Sequence, residues 1–214
     1  LRVLDLACST GFSGRQFASG LDRPVNVTGI DLSEQAVMAA TAKAPPNDHF
    51  IYVCSDAARL PFDDASFDIV LVGCNFAFID QREAALGEAH RVLTDGGMLC
   101  AANFFYRRSP PDELLQAVGE VVGFHPSPHW DFQFWRQFFS RTFDLHSSHT
   151  TVLKPASRAS LLAYAAAIGV FSDAPNPIAA QRVVAARRMY RDRSILNRHR
   201  HYQGVVVDTW TKPR

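Results

Sequence analysis

The sequence predicts an α/β protein: a doubly wound, mostly parallel sheet of seven strands, with a helical and aromatic insertion before the last strands. Three observations carry that prediction. Short apolar runs alternate with helix-like patterns over the first half of the chain, the order that builds βαβ units. Most of those runs are apolar throughout rather than at alternate positions, as strands covered by helices on both faces are. The ends of the first three runs carry either small residues or an acid, and that edge is where open parallel sheets bind ligands.

In chain order, strands are expected at 2–8, 26–32, 49–55, 67–74 and 98–104, and helices at 12–21, 34–44, 82–93 and 112–122. Ser33 ahead of Glu34 starts the second helix, and Pro45 with Pro46 stops it. The stretch between the third and fourth strands holds Pro61 and the pair Asp63, Asp64, which favours a loop. After Phe124 the character changes. Trp130, Phe132, Phe134, Trp135, Phe138 and Phe139 crowd together, followed by a strand near 145–153, helices at 157–168 and 177–192, and a last strand at 204–211.

Composition bounds the reading. At 214 residues and 47% hydrophobic, the chain is long enough for one substantial core. It has no run of about eighteen apolar residues, so no membrane span is expected. Cys8, Cys54, Cys74 and Cys100 all fall inside strand-like runs without a Cys-x-x-Cys pair, which reads as reduced core thiols and a cytoplasmic setting. A net charge of +1 gives no argument for nucleic acid, although arginines crowd 182–200.

The turn after the first strand concentrates the candidate chemistry. Ala7, Ser9 and Gly11 place small side chains at alternate positions, which lets a ligand approach the backbone while the following helix offers free amides. Asp31 ends the second strand twenty residues after Gly11, the spacing at which an acid meets ribose hydroxyls; its bland alternative is a helix-capping or turn acid. Asp56 ends the third strand beside Ala57, a pair able to read an adenine edge with one carboxylate and one amide, or else a solvated loop acid.

Taken in order, the stretches ValLeuAspLeuAlaCysSerThrGly from Val3, GlyIleAspLeuSer from Gly29, SerAspAlaAlaArgLeuProPheAspAspAlaSerPheAspIleVal from Ser55 and GluAlaHisArgValLeuThrAspGlyGlyMetLeu from Glu88 resemble the class I S-adenosylmethionine-dependent methyltransferases, the small-molecule branch. The resemblance implies a Rossmann-like methyltransferase fold and S-adenosyl-L-methionine as cofactor, with S-adenosyl-L-homocysteine as product. It implies that Asp5 supports the methionine end of the cofactor. The turn of Ala7, Cys8, Ser9 and Gly11 then wraps it, Asp31 with Leu32 holds the ribose side, Asp56 and Ala57 read the adenine, and Asn75 with Phe76 lines the site after the fourth strand. The family's turn usually carries glycine where this chain has Ala7 and Ser9, so the backbone there must avoid positive φ or accept mild strain.

On this reading 1–214 is a single methyltransferase domain: a cofactor-binding core at 1–124, a substrate-side insertion and lid at 125–200, and a closing strand at 201–214. Because the chain opens on the first strand, an N-terminal lid segment is expected to be absent from it. The partner is a small-molecule methyl acceptor, apolar or aromatic, flanked by His129, Trp130 and Phe134; Trp130 and Phe134 would share a face if both lay on one helix. Ordinary core packing is the rival account of those rings. His125, His129, His146 and His149 are candidate general bases, and no catalytic residue is assigned. His199 and His201 lack a third ligand, so no metal is expected, and Arg182, Arg187, Arg188 and Arg191 read as a solvated helix face. A non-catalytic cofactor-binding subunit and an RNA methyltransferase are the alternatives. A dehydrogenase is disfavoured because the turn lacks Gly-x-Gly-x-x-Gly spacing.

Overall fold

The computed structural model describes residues 1–46, 49–170 and 179–213. Their elements run β1 (Arg2–Leu6), α1 (Phe12–Ser19), β2 (Asn26–Asp31), α2 (Glu34–Ala42), β3 (Phe50–Cys54), β4 (Phe67–Gly73), α3 (Arg82–Val92), β5 (Leu93–Tyr106), α4 (Asp112–Val122), α5 (Phe132–Ser140), β6 (Asp144–Val152), α6 (Arg158–Val170), α7 (Ala179–His199) and β7 (Gln203–Thr211). The first two residues of the last expected helix, 177 and 178, lie outside the described residues. The seven strands form one sheet in the order β3-β2-β1-β4-β5-β7-β6. The pairs β1/β2, β1/β4, β2/β3 and β4/β5 are parallel. Arg107 N–H donates to Tyr202 O and Lys212 N–H to Gly97 O, so β7 runs antiparallel to β5. The order reverses between β1 and β4, and at such a switch point the connecting segments diverge and open a crevice at the carboxyl edge.

The strand β5 begins earlier than the sequence suggests. The strand is expected to open at Met98, yet it runs from Leu93 through Thr94, Asp95, Gly96 and Gly97, and a register irregularity between Phe67 and Ile69 on β4 absorbs the mismatch. Gly96 takes φ +74°, open to glycine at no steric cost.

The chain divides into two compact units: Leu1–Phe104 with Phe132–Thr150 and Val205–Arg214, and Phe105–Asp131 with Thr151–Gly204. The stretch read as one insertion, 125–200, therefore contributes to both. In the first unit the central strands β1 and β4 bury side chains on both faces, as Val3 and Leu71 on one and Leu4, Leu6 and Val70 on the other show. Ala85, Leu86, Ala89 and Val92 of α3 are buried as well. The helix α5 contributes Trp135, Phe138 and Phe139, spaced for one helical face and at most 3% exposed. Edge-to-face contacts at ring-centroid distances of 5.5 and 5.3 Å join Phe138 and Phe139 to Phe76, and Phe139 also meets Trp210 at 5.6 Å. These aromatics are core. Trp130 precedes the helix and Phe134 lies on it, so the two do not share a helix face. Cys54 is exposed, against the expectation of a core thiol, because β3 is the sheet's edge strand.

In the second unit α4 follows Pro111 and stops at Gly123, whose left-handed φ of +78° turns its N–H onto Gly119 O at 2.9 Å. The carboxamide of Asn197 on α7 closes a two-bond clasp on Ala156, accepting from its N–H at 2.7 Å and donating to its O at 3.0 Å. Tyr106 and His199, both buried, share a hydrogen bond of 2.7 Å. Burial pushes the His199 imidazole down to about 4, so it is neutral at physiological pH. His201 is exposed, as are His125, His129, His146 and His149, and Arg187, Arg188 and Arg191 lie on the exposed side of α7. The side chain of Arg182 lies outside the described ones. Among the described residues no helix is long and apolar enough to cross a membrane.

Candidate functional site

The site forms at the switch point, from the carboxyl ends of β1 to β4. Asp5 is fully buried near the end of β1. Its Oδ2 accepts the Gly14 N–H at 2.8 Å from the first turn of α1, while Oδ1 has no partner. Burial raises the carboxyl to about 7; the Gly14 hydrogen bond and the charge of Arg15 act against that shift, and Asp31 adds to it. The next residues turn sharply. Ala7, Ser9 and Gly11 take φ +53°, +50° and +70°, so the turn accepts the left-handed strain that glycine would avoid. Cys74, at the end of β4, adds φ +64°, which places three of the four positive-φ non-glycine residues among those described on this edge. Strain of this kind costs about 1 kcal/mol or more per residue and persists only where the surroundings fix it.

Those surroundings are identifiable. Cys8 N–H donates to Ile30 O at 2.7 Å and Gly11 N–H to Cys8 O at 2.8 Å. Ser9 N–H donates to Asp31 Oδ2 at 2.8 Å, and Asn75 Nδ2 donates to Ala7 O at 2.5 Å. Tyr52 packs over the turn so closely that a Cβ on Gly11 or Gly29 would lie 2.5 Å from its atoms. Asp31 is not the cap of α2. Ser33 caps it, accepting the Ala36 N–H at 3.3 Å, while Asp31 Oδ1 accepts the Ser33 N–H at 3.0 Å. Asp56 Oδ1 accepts the Ala58 N–H at 2.9 Å.

A cavity of about 390 Å3 opens here. It is lined by Ala7, Ser9, Asp31, Leu32, Asp56, Ala57 and Asn75, seven of the eleven residues the sequence offered for the cofactor. Asp5, Cys8 and Gly11 stand behind it, in the strand and turn that shape the wall. Burial raises the Cys8 thiol to about 12, so it is a neutral packing group. Phe76 is a correction: it is fully buried with its ring against Phe138 and Phe139, because the short 3-10 helix Phe76–Phe78 turns it into the core. Ile30, Ser55, Phe78, Ile79, Asp80 and Gln81 line the cavity and were missed. Phe78 is 57% exposed and Leu32 74%, large apolar groups at a polar edge. The one available signal was the proximity of 78–81 to Asn75, since the segment has no motif of its own. Of the residues offered for the acceptor, His129 and Trp130 belong to the second unit and Phe134 to the first. Trp130 stacks on Phe124 at 5.9 Å, and half-buried Phe134 stacks on Phe138 at 6.4 Å.

The lining carries Asp31, Asp56 and Asp80 and no lysine, arginine or histidine, with the orphaned Asp5 Oδ1 behind. Such a wall complements a cation. Small side chains and left-handed backbone bring the turn close to whatever sits there. These features fit S-adenosylmethionine, which joins a sulfonium and an ammonium to a nucleoside.

Comparison with known proteins agrees. The Methyltransferase domain family matches residues 4–101. The 27-O-demethylrifamycin SV methyltransferase of Amycolatopsis mediterranei (strain S699) is 36% identical over 129 residues, 56% of this chain and 47% of that protein. A demethylmenaquinone methyltransferase of Staphylococcus epidermidis (strain ATCC 35984 / DSM 28319 / BCRC 17069 / CCUG 31568 / BM 3577 / RP62A) is 35% identical over 98 residues, 46% of this chain and 41% of that one. The chain thus spans about half the length of the curated relatives it matches. The crystal structure of MccD protein superposes with a TM-score of 0.83 at 40% identity, covering 99% of this chain and 90% of that one. The [4+2]-cyclase SpnF shares the fold at TM-score 0.73 and 21% identity. Fold and site together define a doubly wound α/β domain with a ligand-sized cavity at its switch point. This chain belongs to the class I S-adenosylmethionine-dependent methyltransferases, a family whose cofactor is S-adenosylmethionine.

Proposed function

We propose that the protein transfers the methyl group of S-adenosylmethionine to an oxygen, nitrogen or carbon atom of a small-molecule acceptor. The observation that carries this reading is the acid-lined cavity at the switch point, built from seven of the residues the family resemblance singles out. When bound, the cofactor supplies an electrophilic methyl on a sulfonium. Asp31, fixed by the Ser9 and Ser33 amides, retains lone pairs to accept from ribose hydroxyls. Asp56 and the Ala57 amide suit a purine edge, and Leu32 and Ile79 supply apolar wall for its faces. Asp5 anchors the turn through Gly14 and, once ionised, attracts the cationic end. Direct displacement depends chiefly on alignment, which in favourable models is worth roughly 7 to 11 kcal/mol, so no general base is required of the chain.

The curated relatives with small-molecule names support a small acceptor, and free cysteines without a Cys-x-x-Cys pair support a cytoplasmic setting. The SpnF likeness is a reminder that this fold also carries other chemistry. Incubation of the protein with S-adenosylmethionine labelled in its methyl group and a metabolite extract tests the reading. Label should pass to a small molecule. Label found only in RNA, or none transferred by protein that binds the cofactor, contradicts it.

A further inference from the structure

The near-neutral total charge hides a segregation. The second unit carries eleven lysines and arginines against six acids, whereas the first carries eleven against fifteen. An acid-rich unit suits a cationic cofactor; a basic unit asks for an anion. The second unit also holds a cavity of about 230 Å3, lined by Tyr106, Arg107, Arg108, Ser109, His129 and Asp131 among others. That volume is below the size of a pocket for a whole drug-sized ligand, so it suits one functional group and a few atoms beside it.

We infer that this cavity is a subsite for an oxyanion, a phosphoryl or carboxylate group, borne by a small molecule, with Arg107 and Arg108 as the residues that hold it. Both arginines are exposed. Arg107 enters no ion pair with a described residue. Arg108 is held by its guanidinium lying 4.7 Å from the centroid of the Tyr202 ring, a stacking that leaves its in-plane N–H groups to donate outward. The backbone under them is fixed from three sides: Arg107 N–H donates to Tyr202 O at 2.8 Å, Tyr106 N–H to Trp130 O at 2.8 Å, and the Tyr106 hydroxyl meets buried His199. Two arginines of a clamped segment, both in the lining, offer planar donors of the kind that hold an oxyanion. Ser109 adds a hydroxyl. Asp131 in the same lining opposes an anion, but with one charge against the two of Arg107 and Arg108, so the lining keeps a net positive charge.

The inference stands apart from the proposed function, because it rests on the second unit's own residues. It is tested by NMR titration of the isotope-labelled full chain with inorganic phosphate in one arm and acetate in the other. Saturable shifts are expected at the amides of Arg107, Arg108 and Ser109, and the arm that saturates at lower concentration names the oxyanion. In Arg107→Gln/Arg108→Gln the affinity should fall at least tenfold while S-adenosylhomocysteine binds as in the parent. No saturable shift with either anion overturns the inference, as do shifts that persist undiminished in the double variant. An oligoribonucleotide that binds these residues more tightly than either anion, with steep salt dependence, overturns it in favour of a nucleic-acid surface. Loss of S-adenosylhomocysteine binding by the parent protein, with anion binding intact, strikes the proposed function instead.

Discussion

Asp5→Asn should make the protein more stable and less able to bind its cofactor, and the two effects should separate by pH. Asparagine keeps an oxygen for the Gly14 N–H but cannot ionise. In the folded chain the Asp5 carboxyl sits near 7, against an ordinary 3.8, because burial penalises its charged form. Between those values the folded state holds a proton that the unfolded state has released, so stability falls as pH rises from about 4 to about 7 and is level beyond. The full displacement corresponds to roughly 4 kcal/mol. For a chain of this size that is a melting-temperature difference of roughly 10 °C. Thermal unfolding of both proteins from pH 4 to pH 8 is the assay. The variant should gain over the parent across that window and hold the gain at pH 8. Calorimetry at pH 8 should show S-adenosylhomocysteine bound at least tenfold more weakly. A stability difference that does not change with pH, or a variant less stable than the parent at pH 8, refutes the reasoning about Asp5.

Ala7→Gly and Ser9→Gly relieve left-handed strain at φ +53° and +50°, and each should raise stability by about 0.5 kcal/mol after the added freedom of the unfolded chain is offset, read as a small rise in melting temperature. Asp31→Ala should weaken S-adenosylhomocysteine at least tenfold in a folded protein, since charge-assisted hydrogen bonds are worth roughly 1.5 to 3 kcal/mol each; unchanged affinity in calorimetry removes Asp31 from the site. Phe139→Ala removes a fully buried ring that meets Phe76, Phe138 and Trp210, and chemical denaturation should show a loss of about 3 to 5 kcal/mol; a loss below about 1 kcal/mol would contradict its place in the core.

What the sequence made legible was whatever has a local signature. The strands β1 to β4 stand where their apolar runs stand, and α4 falls on 112–122 as its pattern predicts, because burial on both faces or one is written in residue type. Asp31 and Asp56 were legible because a parallel sheet sends every strand end to one edge. The wall from Phe78 to Gln81 was not, since its place depends on how a short 3-10 helix leaves β4. The start of β5 was hidden by two glycines that a bulge accommodates, and Phe76 was misplaced by one turn of backbone that no residue type announces. The aromatics of α5 looked equally suited to pocket and core. Helical spacing of Trp135, Phe138 and Phe139 favours the core once the helix start at Phe132 is fixed. The charge segregation escaped a total of +1 because it appears only when the chain is divided into its two units.

The central claim is that the acid-lined cavity at the ends of β1 to β4 holds S-adenosylmethionine. Isothermal titration of the full chain with S-adenosylhomocysteine, repeated from pH 6 to pH 8, tests it most directly. The account predicts one saturable site per chain whose affinity rises as Asp5 ionises through about pH 7. No heat with S-adenosylhomocysteine or S-adenosylmethionine at any of these pH values, together with binding of NAD, would contradict it.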